Sequence, residues 1–338
     1  MGGAAGVDDA GGLGGLSTPL PLSDKFPGAS TLRCLACGPC LAVAAMFLFP
    51  GSVLAHQQIV VTDDTGREVR LEAPARRVVT LAPHLTEMLF AVGAGDAAVG
   101  AVAYSDYPPA ALELPRVGGA RGVDVEAVLA LEPDLVLAWA SAPQGGAARR
   151  LEALGIPVFK SSPGSLDEVA RTMERIGRLV GRDQGGEAQA AALRGQIAAL
   201  RDEYGPEAEA ALRVFYEVWH EPLMTVGGGH FISEIIALCG GRNIFSGLDT
   251  PSPRVDREAL LARDPQVIFS ATASEEETAA LLARWARWPD LAAVRHAQVR
   301  ALPADLLGRP GPRLAAGGRQ LCRQLAQARK QLRDDPGD

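Results

Sequence analysis

Short runs of apolar residues alternate with segments of helical periodicity along most of the chain. Residues 78–81 form an apolar run of strand length, Pro83 ends it, and apolar positions then recur at helical spacing over 85–92. Gly93 is a typical helix stop, and residues 98–103 form the next apolar run. Strands and helices that alternate in this way predict a parallel sheet with helices on both faces.

The same order recurs twice before residue 160. A helical pattern that begins near residue 124 is ended by Pro133, and an apolar run follows at 135–138. A further helical pattern ends at Gly155 and is followed by a predicted strand at 156–159. These repeated units predict an α/β lobe over residues 56–163.

The longest helical region lies near the middle of the chain. It opens with a capping box, in which Ser165 is followed three residues later by Glu168, and apolar positions keep helical spacing beyond it. The helical spacing of apolar positions is lost at 181–186 and resumes over 187–204. We interpret residues 164–205 as one long backbone helix, followed by a second α/β lobe over 206–330 and a disordered tail at 331–338.

An internal repeat relates the two predicted lobes. The segments "VDVEAVLALEPDLVLA" (123–138) and "VDREALLARDPQVIFS" (255–270) align without gaps at an offset of 132, with seven identical positions. Two α/β lobes of common origin, joined by one helical element, leave a cleft between them. Clefts at such boundaries are where small ligands bind.

The first 55 residues differ from the rest of the chain. Residues 1–30 are rich in glycine, alanine and proline, and Arg33 then precedes an apolar run that closes on the small-residue pattern at 53–55. These are the parts of a secretory signal peptide, preceded by an extension that we ascribe to a misassigned start codon. A membrane span fits less well because Gly and Pro interrupt the run. We expect an exported protein that begins near His56.

Cysteine usage agrees with export. Cys34, Cys37 and Cys40 resemble a metal motif but lie in the predicted signal peptide, and no second ligand pair follows at finger spacing. Cys239 and Cys322 remain after cleavage. An even pair in an oxidising compartment suggests a disulfide, and two buried free thiols are the alternative.

Charge and known catalytic motifs exclude several classes of function. A net charge of −7 argues against a nucleic-acid binder. No nucleophile motif or HExxH pair occurs, and "VGGGH" lacks the Lys-Ser/Thr of a phosphate loop. We therefore expect no enzymatic activity, and a lobed α/β enzyme without a recognisable nucleophile or metal motif is the alternative. A metal site built from His84, His220 and His230 with a carboxylate is an open alternative.

Large aromatic residues follow predicted strands at three places. Tyr104, Trp139 and Trp219 stand where the strands at 98–103, at 135–138 and at the start of the second lobe end. Ligands of open α/β sheets bind at the carboxyl ends of the strands, so these rings are candidate ligand contacts, with plugging of the sheet ends as the alternative. Within "AVAYSDYPP" we expect Asp106 and Tyr107 to brace the loop.

Two acidic residues occupy equivalent positions in the repeat. Glu126 and Glu258 each lie two residues after a predicted aspartate N-cap, Asp124 or Asp256. Acidic residues in a first helical turn interact favourably with the helix dipole, which is the structural interpretation. The functional interpretation is that the two lobes present matched negative charges to one partner.

Several segments together resemble a known family. They are "RVVTLAPHLTEMLFAVGAG", "AVAYSDYPP", "VDVEAVLALEPDLVLAW", "LGIPVF", "LCGGRNIF" and "PRVDREALLARDPQVIF". They resemble the periplasmic cobalamin-binding proteins of ABC importers, which belong to the helical-backbone receptors for siderophores, haem and cobalamin. The resemblance extends over about residues 75–328. It implies two similar α/β lobes with parallel-rich sheets, joined by a long backbone helix.

The resemblance also implies roles for individual residues. Tyr104 and Trp139 match the family's corrin-contacting tyrosine and N-lobe tryptophan, and Asp305 and Arg309 match the acid and base of its C-lobe loop. With Trp219, these are the expected ligand contacts. Glu126 and Glu258 match the glutamates that dock onto permease arginines, and Cys239 and Cys322 match the disulfide pair.

The implied function is capture of cobalamin or a related corrinoid in the periplasm. The partners would be an inner-membrane permease and its ATPase, the protein would be a monomer, and the corrinoid would be cargo, with no cofactor or resident metal. Ala120 and Ser252 stand where the family has tryptophans, and Trp219 lies one position from its C-lobe aromatic residue. These departures leave receptors for haem, siderophores or metal ions as alternatives.

Overall fold

A computed structural model describes residues 58–119, 122–140, 145–205 and 211–334. The predicted signal peptide with Cys34, Cys37 and Cys40, the departure at Ala120, and residues 335–338 of the predicted tail lie outside these ranges. Among the helices within them, none combines the length and apolar character of a membrane span.

The first lobe is built on a four-stranded parallel sheet with the order β4-β3-β7-β8. Its strands, two antiparallel hairpins included, are β1 (Ile59–Thr62), β2 (Glu68–Leu71), β3 (Val78–Thr80), β4 (Ala98–Ala101), β5 (Gly118–Gly119), β6 (Gly122–Val123), β7 (Leu135–Trp139) and β8 (Val158–Ser161). Its helices are α1 (Pro83–Ala91), α2 (Val125–Ala130) and α3 (Gly145–Ala153).

The predicted breaks explain where these elements begin and end. Pro83 stands in the first turn of α1, where a missing N–H is harmless, and Gly93 follows the helix at a φ of 84°. The central strand β3 is buried at all three residues, as expected of a strand covered on both faces.

The region predicted as one backbone helix contains two, α4 (Leu166–Leu179) and α5 (Asp183–Tyr204). Gly181, at a φ of 66°, lies in the turn between them. Arg194 of α5 bonds to Asp167 and Glu174 of α4, so the two helices are antiparallel. The prediction of a single helix over 164–205 was therefore wrong, because a left-handed glycine reverses the chain where we read only a relaxed pattern.

Helix α5 extends from one lobe to the other, with α4 packed along it. At its start Gly185 lies against the backbone of Val92 at the end of α1. At its other end Glu203 pairs with Arg319 of the last helix, 2.6 Å away. A helix of this length spans about 33 Å, so one rigid rod connects the two lobes.

The second lobe repeats the topology of the first. Its strands are β9 (Leu212–Glu217), β10 (Gly241–Asn243), β11 (Val267–Thr272) and β12 (Val299–Pro303), all parallel in the order β10-β9-β11-β12. Its helices are α6 (Phe231–Leu238), α7 (Arg257–Arg263), α8 (Glu275–Trp285), α9 (Ala292–Arg295), α10 (Ala304–Leu307) and α11 (Leu314–Asp334). The last helix continues four residues beyond the predicted limit at 330.

The internal repeat corresponds to equivalent structural units. In each sheet the first strand in sequence lies between the second and the third, and the fourth strand lies beyond the third at the edge. The repeated segments form α2 with β7 in one lobe and α7 with β11 in the other. The prediction of two similar α/β lobes joined by a long helix is confirmed, and α5 is that helix.

Cys239 and Cys322 form a disulfide, which resolves the choice between a bridge and free thiols. The bond joins the end of α6 to α11, and both residues are buried. It closes a covalent loop with a sequence separation of 83 residues inside the second lobe.

Candidate functional site

A cleft with a volume of about 630 Å³ lies between the two lobes. This is within the range of roughly 300–1,000 Å³ that is usual for small-ligand sites. The first lobe contributes Pro83, His84, Tyr104, Asp106 and Trp139, and the second contributes Thr272, Ala273, Pro303, Ala304, Asp305, Gly308, Arg309 and Pro310. Of the five ligand contacts predicted from the sequence, four line this cleft: Tyr104, Trp139, Asp305 and Arg309.

Two aromatic rings stand at the strand ends of the first lobe. Trp139 is the last residue of β7 and is 40% exposed, and Tyr104 follows β4 and is 71% exposed. Rings that plug a sheet end are buried, so this exposure contradicts the plugging alternative for both. Tyr104 has a φ of 65°, a conformation that L-residues adopt rarely and that often marks binding sites.

Trp219 lies in an adjoining pocket instead of the cleft itself. Its side chain is 61% exposed, and its indole N–H donates to the carbonyl oxygen of Glu221, 2.8 Å away. Thr272 lines both the cleft and this pocket, so the two spaces are neighbours. The structure places Trp219 beside the other predicted contacts without bringing it into the same cavity.

A buried carboxylate of the first lobe forms hydrogen bonds with two arginines of the second lobe. Glu87 of α1 is only 2% exposed. Its Oε1 accepts from Arg309 at 3.0 Å and from Arg313 at 2.8 Å, and its Oε2 accepts from Arg313 at 2.9 Å. Sequence reasoning missed this pair of contacts, although a lone acid within the apolar helix "LTEMLFAV" was a signal.

The loop after Tyr104 completes this ionic cluster. Asp106 accepts from Nη1 of Arg309 at 2.6 Å and from Nη2 at 3.3 Å. These hydrogen bonds from Arg309 hold the pKa of the Asp106 carboxyl below its usual range. The ring of Tyr107 lies 4.1 Å from the guanidinium carbon of Arg313. Asp106 and Tyr107 therefore hold their loop against the opposite lobe, and Asp106 also lines the cleft.

Asp305 holds Arg313 from the side of the second lobe. Its Oδ2 accepts from Nη1 of Arg313 at 2.7 Å. The hydrogen bonds to Glu87 are the main reason that the pKa of Arg313 is raised, with those to Asp305 adding to it. Both predicted polar contacts, Asp305 and Arg309, thus belong to an interlobe cluster as well as to the cleft wall.

The three candidate metal-binding histidines lie apart. His84 lines the cleft, His220 lines the pocket of Trp219, and His230 caps α6 by accepting from the Ile232 amide at 3.2 Å. Within the described ranges no group of three His, Cys, Asp or Glu side chains is arranged to hold a metal ion.

His84 is a neutral polar group within the cleft wall. Its ring packs edge-on against Trp139, with the centroids 5.7 Å apart, and its Nε2 has no hydrogen-bond partner in the described part of the chain. Burial, aided by the positive charge of Arg309, lowers the pKa of His84 to about 3.

Acidification below neutral pH is expected to destabilise the protein through His84. The unfolded imidazole titrates near 6.5, whereas the pKa of native His84 is about 3, so the unfolded state binds more protons between these values. Stability from this group is present above pH 6.5 and is lost as pH falls, by about 1.4 kcal/mol per pH unit. Unfolding in urea between pH 6 and pH 4 measures the slope, and His84→Leu should reduce it.

His230 provides a comparison for this experiment. Burial lowers its pKa to about 4, so His230→Leu should reduce the slope in the same direction over a narrower range of pH. Equal slopes for His84→Leu and the unaltered protein would contradict the expectation.

The matched acids of the repeat are exposed at the starts of equivalent helices. Glu126 is the second residue of α2, and Glu258 is the second residue of α7. Asp124 and Asp256 cap these helices by accepting from backbone amides at 3.0 Å and 2.7 Å. Within the described residues neither glutamate forms an ion pair, so both carboxylates face solvent.

Comparisons of the sequence with known proteins agree on the family of this chain. The family described as "Periplasmic binding protein" matches residues 78–306. The vitamin B12-binding protein of Vibrio cholerae is 38% identical over 259 residues, covering 76% of this chain and 92% of its own length. That of Yersinia pestis is 37% identical over 253 residues, covering 75% and 87%.

Solved structures give a similar result. The periplasmic vitamin B12 binding protein BtuF of Vibrio cholerae superposes with a TM-score of 0.67 at 38% identity, covering 76% of this chain and 99% of that one. The periplasmic haem-binding protein BhuT, in complex with two haems, has a TM-score of 0.65 at 28% identity, with coverages of 76% and 99%.

Proposed function

Because this chain belongs to the periplasmic binding protein family, we propose that it captures cobalamin or a related corrinoid and delivers it to an ABC importer. The observation that carries the proposal is the interlobe cleft, where Tyr104 and Trp139 expose their rings opposite the polar loop of Asp305 and Arg309. Relatives named as vitamin B12-binding proteins support this choice of ligand.

The cleft suits a flat macrocycle that carries polar side chains. The rings of Tyr104 and Trp139 offer apolar surface to the face or edge of the ring, where burial of apolar area stabilises the complex. Thr272 and Asp305 supply hydrogen-bonding groups at the opposite wall. Trp219, in the adjoining pocket, would contact a part of the ligand that extends beyond the cleft.

We propose that the protein binds its ligand without altering it. The site would release an unchanged corrinoid to an inner-membrane permease driven by its ATPase. Export by an N-terminal signal peptide would place the protein in the periplasm, where the disulfide is stable. It would act as a monomer, with lobes at 56–163 and 206–330, and dock through Glu126 and Glu258.

Haem is the second candidate ligand. The 28% identity to a solved haem-binding protein favours it, and haem is also a flat macrocycle with a metal centre. Titration of the protein, purified after export of the full chain, with cyanocobalamin, cobinamide and haem tests both candidates by calorimetry. Tight binding of haem with no binding of either corrinoid would overturn the proposed function.

Loss of either aromatic ring of the cleft is expected to weaken cobalamin binding. Tyr104→Ala and Trp139→Ala should each raise the dissociation constant about tenfold to hundredfold, since such rings dominate binding energies when a ligand covers them. Calorimetry, with the variants and the unaltered protein at the same temperature, measures the change in the dissociation constant.

Conservative variants control for misfolding. Tyr104→Phe and Trp139→Phe keep the ring surface and should retain most of the affinity. Alanine variants that bind cobalamin as tightly as the unaltered protein would place the ligand elsewhere.

A further inference from the structure

The ionic cluster between the lobes pairs most of the guanidinium N–H groups of Arg309 and Arg313 with protein carboxylates. Both terminal nitrogens of Arg309 donate to Asp106, and one of them also donates to Glu87. In Arg313, Nε and Nη2 donate to Glu87, and Nη1 donates to Asp305. Arginine recognises carboxylates through paired N–H groups of this kind, and here protein carboxylates already occupy them.

The same cluster carries more negative than positive charge. Three carboxylates, those of Glu87, Asp106 and Asp305, bond to two guanidinium groups, so the net charge is −1. Asp106 and Asp305 have side chains 51% and 49% exposed, which leaves carboxylate surface open to the cleft.

The remaining described surroundings do not reverse this balance. In the cleft wall the other side chains with polar atoms are those of Thr272, Tyr104, Trp139 and His84. The pKa of His84 is about 3, so its ring is uncharged at neutral pH. The lining of the adjoining pocket includes three carboxylates, those of Glu217, Glu221 and Glu277, and one guanidinium group, that of Arg284. Both spaces therefore present an excess of carboxylate to a ligand.

We propose that Glu87 is a specificity-determining residue, which neutralises Arg309 and Arg313 so that the cleft selects macrocycles with amide side chains over macrocycles with carboxylates. This inference rests on the proposed function and specifies the ligand's periphery. Amide N–H groups donate to the open oxygens of Asp106 and Asp305, whereas a ligand carboxylate meets like charge and finds no unpaired guanidinium.

Cobinamide and cobyrinic acid test this directly, because they share the corrin ring and cobalt but carry amides and carboxylates respectively. At pH 7.5 the unaltered protein should bind cobinamide about 100-fold more tightly than cobyrinic acid. Asp106→Asn with Asp305→Asn should reduce this ratio about tenfold or more, mainly through tighter binding of cobyrinic acid.

Glu87→Gln separates a role in specificity from a structural one. It should raise the affinity for cobyrinic acid, since two guanidinium charges lose their shared counterion, whereas a purely structural role would lower both affinities together. Glu203→Gln, which removes a carboxylate from the α5–α11 ion pair outside the cleft, is the matched control and should leave the ratio unchanged. Thermal unfolding checks that each variant is folded.

The outcomes are distinct. Three results would overturn the inference while leaving the proposed function in place. They are equal affinities of the unaltered protein for the two corrinoids, an unchanged affinity ratio in the Asp106→Asn/Asp305→Asn protein, or a change of this ratio in Glu203→Gln that equals the change in Glu87→Gln. Failure to bind either cobinamide or cyanocobalamin would overturn the proposed function, and the inference with it. If Glu87→Gln does not fold, the Asp106→Asn/Asp305→Asn protein still tests whether the carboxylate excess of the cluster sets the selectivity, since both of these aspartates are half-exposed.

Discussion

Replacing Glu126 and Glu258 together by arginine is expected to abolish cobalamin uptake while leaving the affinity of the purified protein for cobalamin unchanged. Both carboxylates are exposed at the starts of equivalent helices, one on each lobe, and neither lines the cleft. A partner that binds both lobes with positive groups would meet two repulsive contacts in place of two attractive ones, and uptake should fall at least about 100-fold.

Two comparisons make this experiment decisive. Glu72→Arg with Glu275→Arg introduces the same change in charge at exposed positions of the two lobes and should leave uptake near its original rate. Calorimetry with cyanocobalamin shows whether the site survives. Normal uptake by the Glu126→Arg/Glu258→Arg protein, or a loss of cobalamin affinity that accounts for the defect, would contradict docking through these glutamates.

Reduction of the Cys239–Cys322 bond is expected to lower the free energy of unfolding by about 4 kcal/mol, because it releases a long loop in the unfolded chain. The bond closes a separation of 83 residues, which includes most of the second sheet. Urea unfolding with and without dithiothreitol measures the difference in the same protein.

The variant Cys239→Ala/Cys322→Ala controls for effects of the reductant. It should be destabilised at least as much as the reduced protein, since both cysteines are buried and alanine also removes packing. In this variant dithiothreitol should have no further effect. Equal unfolding midpoints for the oxidised and reduced proteins would refute the expected contribution of the bond.

The lobes and the aromatic part of the cleft could be predicted from the sequence because their signals are local. Strand length, helix stops and the gapless repeat determine each α/β unit over a few residues, and a ring at a strand's end takes its position from the strand itself. Tyr104 and Trp139 were found in this way. The break between α4 and α5 was also marked locally, by Gly181, but helical spacing on both sides hid the reversal.

The ionic cluster could not be predicted in the same way. Glu87 and Arg309 are separated by 222 positions, and nothing near either residue specifies the other. Their contact depends on how the two lobes are placed across the cleft, which the connecting helix determines. Trp219 illustrates the same limit, since two residues after β9 were enough to carry it into the neighbouring pocket.

The rigid connection through α5 affects the expected rate of ligand uptake. A rod anchored on α1 at one end and on α11 at the other, with Glu87 tied across the cleft, resists separation of the lobes. Under the proposed docking, empty and loaded molecules would present Glu126 and Glu258 at nearly the same spacing, and a transporter would distinguish the two states only by a difference in affinity for them. Empty molecules would then compete with loaded ones for the permease, and the rate of uptake would depend on the fraction of the protein that carries ligand.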